Sequence, residues 1–188
     1  MGKSTFSNNV LNCAMTYGTA MGGYWIAKFL LVPFIFSVPL TSLFFLLLTV
    51  AVPFLGYYFT RQYRNRYCPE GRVSFMQAWI FCLLMYMFAA LLVSVAHYIF
   101  FRYVDNGAML ATYSGMLEQV QQADPSLTDS IGQYKEAMEM MASLTPIELT
   151  VQMISSNIFY GMIFSLPTAL FVSLGHKTEE KEDQWDKQ

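Results

Sequence analysis

Apolar residues run nearly unbroken through four stretches of the chain, at about 13–37, 40–60, 74–101 and 146–174. A hydrocarbon core of about 30 Å takes about 20 helical residues to cross, and each stretch is long enough. Backbone amides in lipid have no water to pair with, so each stretch is expected to be a helix. Pro33, Pro53 and Pro167 then predict kinks, while Pro39 fits a tight outer turn between the first two helices. Ser74-Phe75-Met76-Gln77 and Thr145-Pro146-Ile147-Glu148 both have the spacing of a capping box, which marks two helix starts.

Between the third and fourth stretches, about 103–144, the pattern changes. Met109, Tyr113, Met116 and Val120 recur at helical steps, and Leu127, Ile131, Tyr134, Met138 and Met141 do so after Asp124-Pro125. A segment this long without structure of its own would be unusual. The fold class expected is therefore all-α: a four-helix transmembrane bundle with a small extracytoplasmic helical hairpin between helices three and four. The whole of 1–188 reads as a single integral membrane domain, with a charged, disordered tail over 176–188.

Composition agrees with lipid as the solvent. Of 188 residues, 55% are hydrophobic and 13% charged, half the usual share for a soluble domain of about 25%. A net charge of −2 leaves no concentrated basic face for nucleic acid. Cys13, Cys68 and Cys82 are odd in number and widely spaced, and read as structural thiols.

Orientation follows from the positive charges. Arg61, Arg64, Arg66 and Arg72 sit between helices two and three, whereas 103–144 carries Asp105, Glu118, Asp124, Asp129, Glu136 and Glu139 against Lys135. The arginine segment is accordingly placed in the cytoplasm, where it also suits anionic lipid headgroups. Lys3 before helix one and Lys177, Lys181 and Lys187 after helix four put both termini on the same side.

Several motifs fall away. Gly2-Lys3-Ser4-Thr5 lacks the upstream glycine of a P-loop, and Phe6 stands where myristoylation needs Ser or Thr. The first apolar run is too long for a cleaved signal peptide. No HExxH, Gly-x-Ser-x-Gly or pair of acids within a span suggests catalysis, and no cofactor is expected. Met138, Met140 and Met141 read as adaptable packing on an amphipathic helix rather than as copper(I) ligands.

Four polar residues within spans are candidates for a site: Lys28, Asn157, His97 and Glu148. Lys28 falls just past the middle of the 13–37 stretch, where a charge costs about 2.5–3.5 kcal/mol on insertion scales. It either serves an ion or partner, or snorkels outward along its flexible stem. Helices one and four run antiparallel, and setting Ala14 level with Ser173 brings Lys28 near the depth of Asn157. Asn157, Gly161, Ser165, Ala169 and Ser173 form a row at spacing four, and Ala14, Gly18 and Gly22 form a matching one. These rows are expected to pack on each other or to serve a homodimer. His97 and Glu148 lie at similar depth, and form either a proton relay or an interfacial aromatic beside a helix cap.

One run also carries a likeness. Arg61-Gln62-Tyr63-Arg64 followed by Gly71-Arg72-Val73-Ser74-Phe75-Met76-Gln77-Ala78-Trp79 resembles the signature of a family of small bacterial membrane proteins, domain of unknown function 4199, found mostly in Bacteroidetes. Tyr17-Gly18 early in helix one and the order of segments fit it too. The resemblance implies a multi-pass protein of the bacterial inner membrane and supplies no catalytic residues. The expected role is a non-enzymatic accessory or scaffold subunit of an envelope complex, or a homo-oligomer, with the lipid bilayer and a protein partner or further copies as its contacts. The alternative is a small oligomeric transporter with a polar site at Lys28 and Asn157.

Overall fold

The structure, a computed structural model, describes residues 2–35, 39–68 and 71–175. Among these are six α-helices and no strand: α1 (Gly2–Phe29), α2 (Pro39–Tyr67), α3 (Phe75–Tyr103), α4 (Ala108–Ala123), α5 (Thr128–Ala142) and α6 (Pro146–Leu174). The tail at 176–188, with Lys177, Lys181 and Lys187, lies outside the described residues, as does the side chain of Lys3.

Proline decides where α1 stops. The expected helix continues through Pro33 to residue 37, but α1 ends at Phe29, and Pro33 sits inside a separate 3-10 turn at Val32–Phe34. Proline has no N–H to give the carbonyl four residues back, and its ring collides with that carbonyl. That residue is Phe29. Pro53 and Pro167, by contrast, are accommodated inside α2 and α6, and Pro39 opens α2 at the first helical position.

At its other end α2 runs on to Tyr67, so Arg61, Arg64 and Arg66 are helical residues rather than loop residues. The apolar stretch ends near Thr60, but Tyr63 is buried and anchors about two further turns of helix. Both capping boxes form. Gln77 N donates to Ser74 Oγ (3.3 Å) and Ser74 N to Gln77 Oε1 (3.2 Å), while Thr145 N donates to Glu148 Oε2 (2.7 Å).

Three of the described helices, Leu40–Tyr67, Phe75–Tyr103 and Pro146–Leu174, are long and apolar enough to cross a membrane. Four spans were expected, and α1 is not among the three. Its 28 residues include Asn8, Asn9 and Asn12, and the apolar Leu30 and Leu31 fall beyond its end.

The chain divides into two compact units. The first comprises Met1–Val93 with Ser155–Gln188, and the second Ser94–Ile154. Within the first unit, α3 is the helix that the others meet. Phe81 of α3 stacks on Tyr63 of α2 (centroids 4.1 Å, planes 6° apart) and takes Tyr17 of α1 edge-on at 5.9 Å. Phe81, Cys82, Met85 and Ala89 are wholly buried there. Tyr24 Oη donates to the Leu48 carbonyl at 2.7 Å, tying α1 to α2. The outward side of α2 is a continuous apolar stripe of Leu43, Leu47, Val50 and Phe54, all more than half exposed.

In the second unit α4 and α5 pack together, with Lys135 Nζ donating to Gln121 Oε1 at 3.0 Å. Asp124 accepts from the hydroxyl and the backbone N–H of Ser126 between them, which holds its carboxyl below the usual range. The start of α4 depends on Asp105. Its Oδ1 accepts from Met109 N (2.8 Å) and its Oδ2 from Gly107 N (3.2 Å), across a turn with Asn106 and Gly107 at φ 44° and 83°. Two orphan amides are thus satisfied by one buried carboxylate. Replacing Asp105 by alanine should cost about 1–2 kcal/mol, read as faster amide exchange over 107–112. Asparagine, which keeps one acceptor, should recover part of the protection.

Candidate functional site

Lys28 is the residue whose setting matters most for function, and the end of α1 relocates it. With α1 stopping at Phe29, Lys28 is in the last helical turn rather than past the middle of a membrane span. A cation there is favoured by the negative end of the helix dipole. The side chain is half-buried, and its Nζ lies over the ring of Phe45 near the start of α2, 5.2 Å from the centroid. Among the described residues no hydrogen bond or ion pair links Lys28 to Asn157, which is itself half-buried on α6.

In the two small-residue rows Ala14, Gly18, Gly22, Gly161, Ser165 and Ala169 are all buried. The residues that meet them lie on α3. A Cβ on Gly18 would meet Phe88 Cβ at 2.6 Å and the Met85 carbonyl at 2.9 Å, and one on Gly22 would meet Leu92. On α6, a Cβ at Gly161 would lie 2.7 Å from Tyr86 Cβ, and Ser165 Oγ accepts from Trp79 Nε1 at 2.9 Å. Both rows therefore close on α3, along different strips of it. α3, the most apolar of the three candidate spans, takes the centre of this unit, and α1 and α6 each meet it.

Tyr86 is held between glycines of two helices. Gly161 lies against its Cβ, and a Cβ on Gly56 of α2 would collide with its hydroxyl. The ring stacks with Trp25 of α1 at 6.0 Å. The Tyr86 hydroxyl and Trp25 Nε1 are buried with no hydrogen-bond partner among the described residues.

The four arginines that sequence treats alike have different surroundings. Arg64 is 4% exposed, and its Nη1 donates to the Val172 carbonyl in the last turn of α6 at 3.0 Å. Its Nε donates to Asn65 Oδ1, also at 3.0 Å. Arg64 is thus turned inward as a cap on the end of α6. Arg66 is exposed and lies beside the Tyr17 hydroxyl of α1. Arg61 and Arg72 are exposed.

In the second unit, Glu148 is exposed, and its Oε2 accepts from both the backbone N–H and the hydroxyl of Thr145, each at 2.7 Å. Its carboxylate works as the reciprocal half of the α6 cap. His97 is buried, with its ring tilted against Phe101 at a centroid separation of 6.5 Å. Asp105, which sequence marks only as an outer acid, holds the start of α4. The Asp-Asn-Gly run before Ala108 was the available signal, since Asn and Gly accept the left-handed backbone an α4 cap needs.

The sequence matches the family described as Protein of unknown function (DUF4199) over residues 16–173. The chain belongs to that family. Its matched region takes in Lys28, most of both small-residue rows, the arginines of α2 and the whole second unit. No curated protein and no solved structure matches the sequence.

Proposed function

We propose that this DUF4199 protein is a multi-pass membrane protein of four crossing helices, and that it acts as a non-enzymatic accessory or scaffold subunit. In this reading both termini and the arginines of α2 are cytoplasmic, the membrane is the bacterial inner membrane, and α4 and α5 form an extracytoplasmic hairpin. The observation that carries the proposal is the place of Lys28. As a last-turn cation over Phe45 it has a structural role, and the transport reading loses its mid-membrane charge. Three further polar contacts between helices of the first unit have the same structural character. Trp79 binds Ser165, Arg64 caps α6, and Tyr24 ties α1 to α2.

As the fourth crossing, α1 is suited by length, since 28 residues make about 42 Å of helix. Its exposed Thr16 and Thr19 donate to the Asn12 and Met15 carbonyls at 3.0 and 2.9 Å, so neither hydroxyl meets lipid unpaired.

The test is gentle purification of a tagged copy from native membranes, with mass spectrometry of what stays bound. A stoichiometric second protein supports the accessory role. A clean homo-oligomer together with a solute flux that Lys28→Met abolishes would replace it with transport. The expectation is that Lys28→Met leaves flux and assembly intact and costs stability only about 0.5–1 kcal/mol.

A further inference from the structure

The outward stripe of α2 does not end in apolar residues. Leu43, Leu47, Val50, Phe54 and Tyr58 follow one another at steps of three or four, and Arg61 is the next residue on that face. From Leu40 to Arg61 is 21 steps, about 31 Å along the helix, which is the thickness of a hydrocarbon core. Tyr57 and Tyr58, one turn before Arg61, fall where aromatic residues mark the interface. Arg61 is thereby set at the depth of lipid phosphates, on the side that faces lipid.

A second donor stands one turn further. Asn65 is exposed, and the buried Arg64 Nε donates to its Oδ1, so the amide NH₂ is directed away from Arg64 and is left to donate. Residues four apart share a helix face. Arg61 and Asn65 therefore offer a guanidinium fork and an amide N–H pair to one anion, at the end of a groove-free apolar stripe that acyl chains can lie along.

We infer that α2 carries a binding site for an anionic phospholipid, with its phosphate on Arg61 and Asn65 and its chains along Leu43 to Phe54. Charge complementarity and the continuity of the headgroup position with the apolar stripe select lipid as the occupant. Of the four arginines, this assigns the specific headgroup contact to Arg61 alone. Arg64 is committed to α6, and Arg66 lies beside the Tyr17 hydroxyl of α1.

The experiment is native mass spectrometry of the full chain released from detergent with phosphatidylglycerol or phosphatidylcholine of the same chain length. The wild type is expected to retain phosphatidylglycerol in preference. Arg61→Gln should lower that retention about fivefold, the worth of one arginine near an anionic surface. Arg61→Lys should fall between, because a point charge lacks the fork. Asn65→Ala should give a smaller loss, and Arg66→Gln should match the wild type. Equal retention by Arg61→Gln overturns the site, and so does an equal loss in Arg66→Gln, which would mean diffuse attraction. Inorganic phosphate raising the melting temperature as far as the lipid does would assign the site to a free anion. A second copy lost on Arg61→Gln, with lipid retention unchanged, would make the stripe a dimer face.

Discussion

Gly56→Ala is expected to destabilise the first unit by about 1–3 kcal/mol, and Tyr86→Phe in the same chain is expected to restore most of that loss. One collision decides the size of the effect. A Cβ at Gly56 runs into the Tyr86 hydroxyl and stands 3.1 Å from Cζ, and Gly161 on α6 backs the same ring at its Cβ. Tyr86 is 1% exposed and cannot swing away. Removing the hydroxyl leaves a new methyl in ordinary to tight contact with the ring edge. On its own Tyr86→Phe should be neutral or stabilising, since it deletes a buried hydroxyl without a partner. Gly23, with nothing within 4 Å of an added Cβ, is the control: alanine there should raise helix stability slightly. Thermal melts of the four chains in one detergent give the double-mutant cycle. Additive losses, with no recovery in the double variant, would mean that α2 and α3 do not approach at Gly56.

The features legible in sequence were those decided within a few residues. Capping boxes at Ser74 and Thr145 are local chemistry, and they form as written. The amphipathic repeats of α4 and α5 are likewise set by their own periodicity. The end of α1 was obscured because Leu30, Leu31, Val32, Phe34, Ile35 and Phe36 keep the run apolar after helix has stopped. Hydropathy reports what lipid tolerates and is blind to the Pro33 ring meeting the Phe29 carbonyl. Lys28 was misplaced for the same reason, as its depth was measured against a helix eight residues too long at that end, 37 against 29.

Small-residue rows show that a helix face packs closely but do not name the helix it meets. The missing information lay in α3, the most apolar of the three candidate spans and thus the natural centre. The division among the arginines was illegible for a deeper reason. Nothing near Arg64 in the chain distinguishes it from Arg61, and the difference arises from where α6 ends, 108 residues away.

That difference should be measurable as a large stability effect at one arginine and almost none at its neighbours. Arg64→Leu is expected to cost about 1.5–3 kcal/mol, the worth of a hydrogen bond from a charged donor to a buried acceptor. Arg61→Gln and Arg66→Gln should stay within about 0.5 kcal/mol of the wild type. Leucine fills the space but leaves the Val172 carbonyl without this donor, at a helix end where the last four carbonyls lack intrahelical partners. Lysine should rescue poorly, because one ammonium cannot serve Val172 and Asn65 together as Nη1 and Nε do. Gly175→Ala offers an independent approach from α6, since its Cβ would come within 3.1 Å of Arg64 Nη1 and crowd the cap. Amide exchange over the last turn of α6 locates the effect, and thermal melting sizes it. A charge needed only for orientation gives the opposite pattern: Arg64→Leu would melt with the wild type, and any of the arginines would be as good as another for topology. Loss of stability confined to Arg64, with faster exchange at the end of α6, would fix it as the residue that fastens α2 to the end of α6 within the first unit.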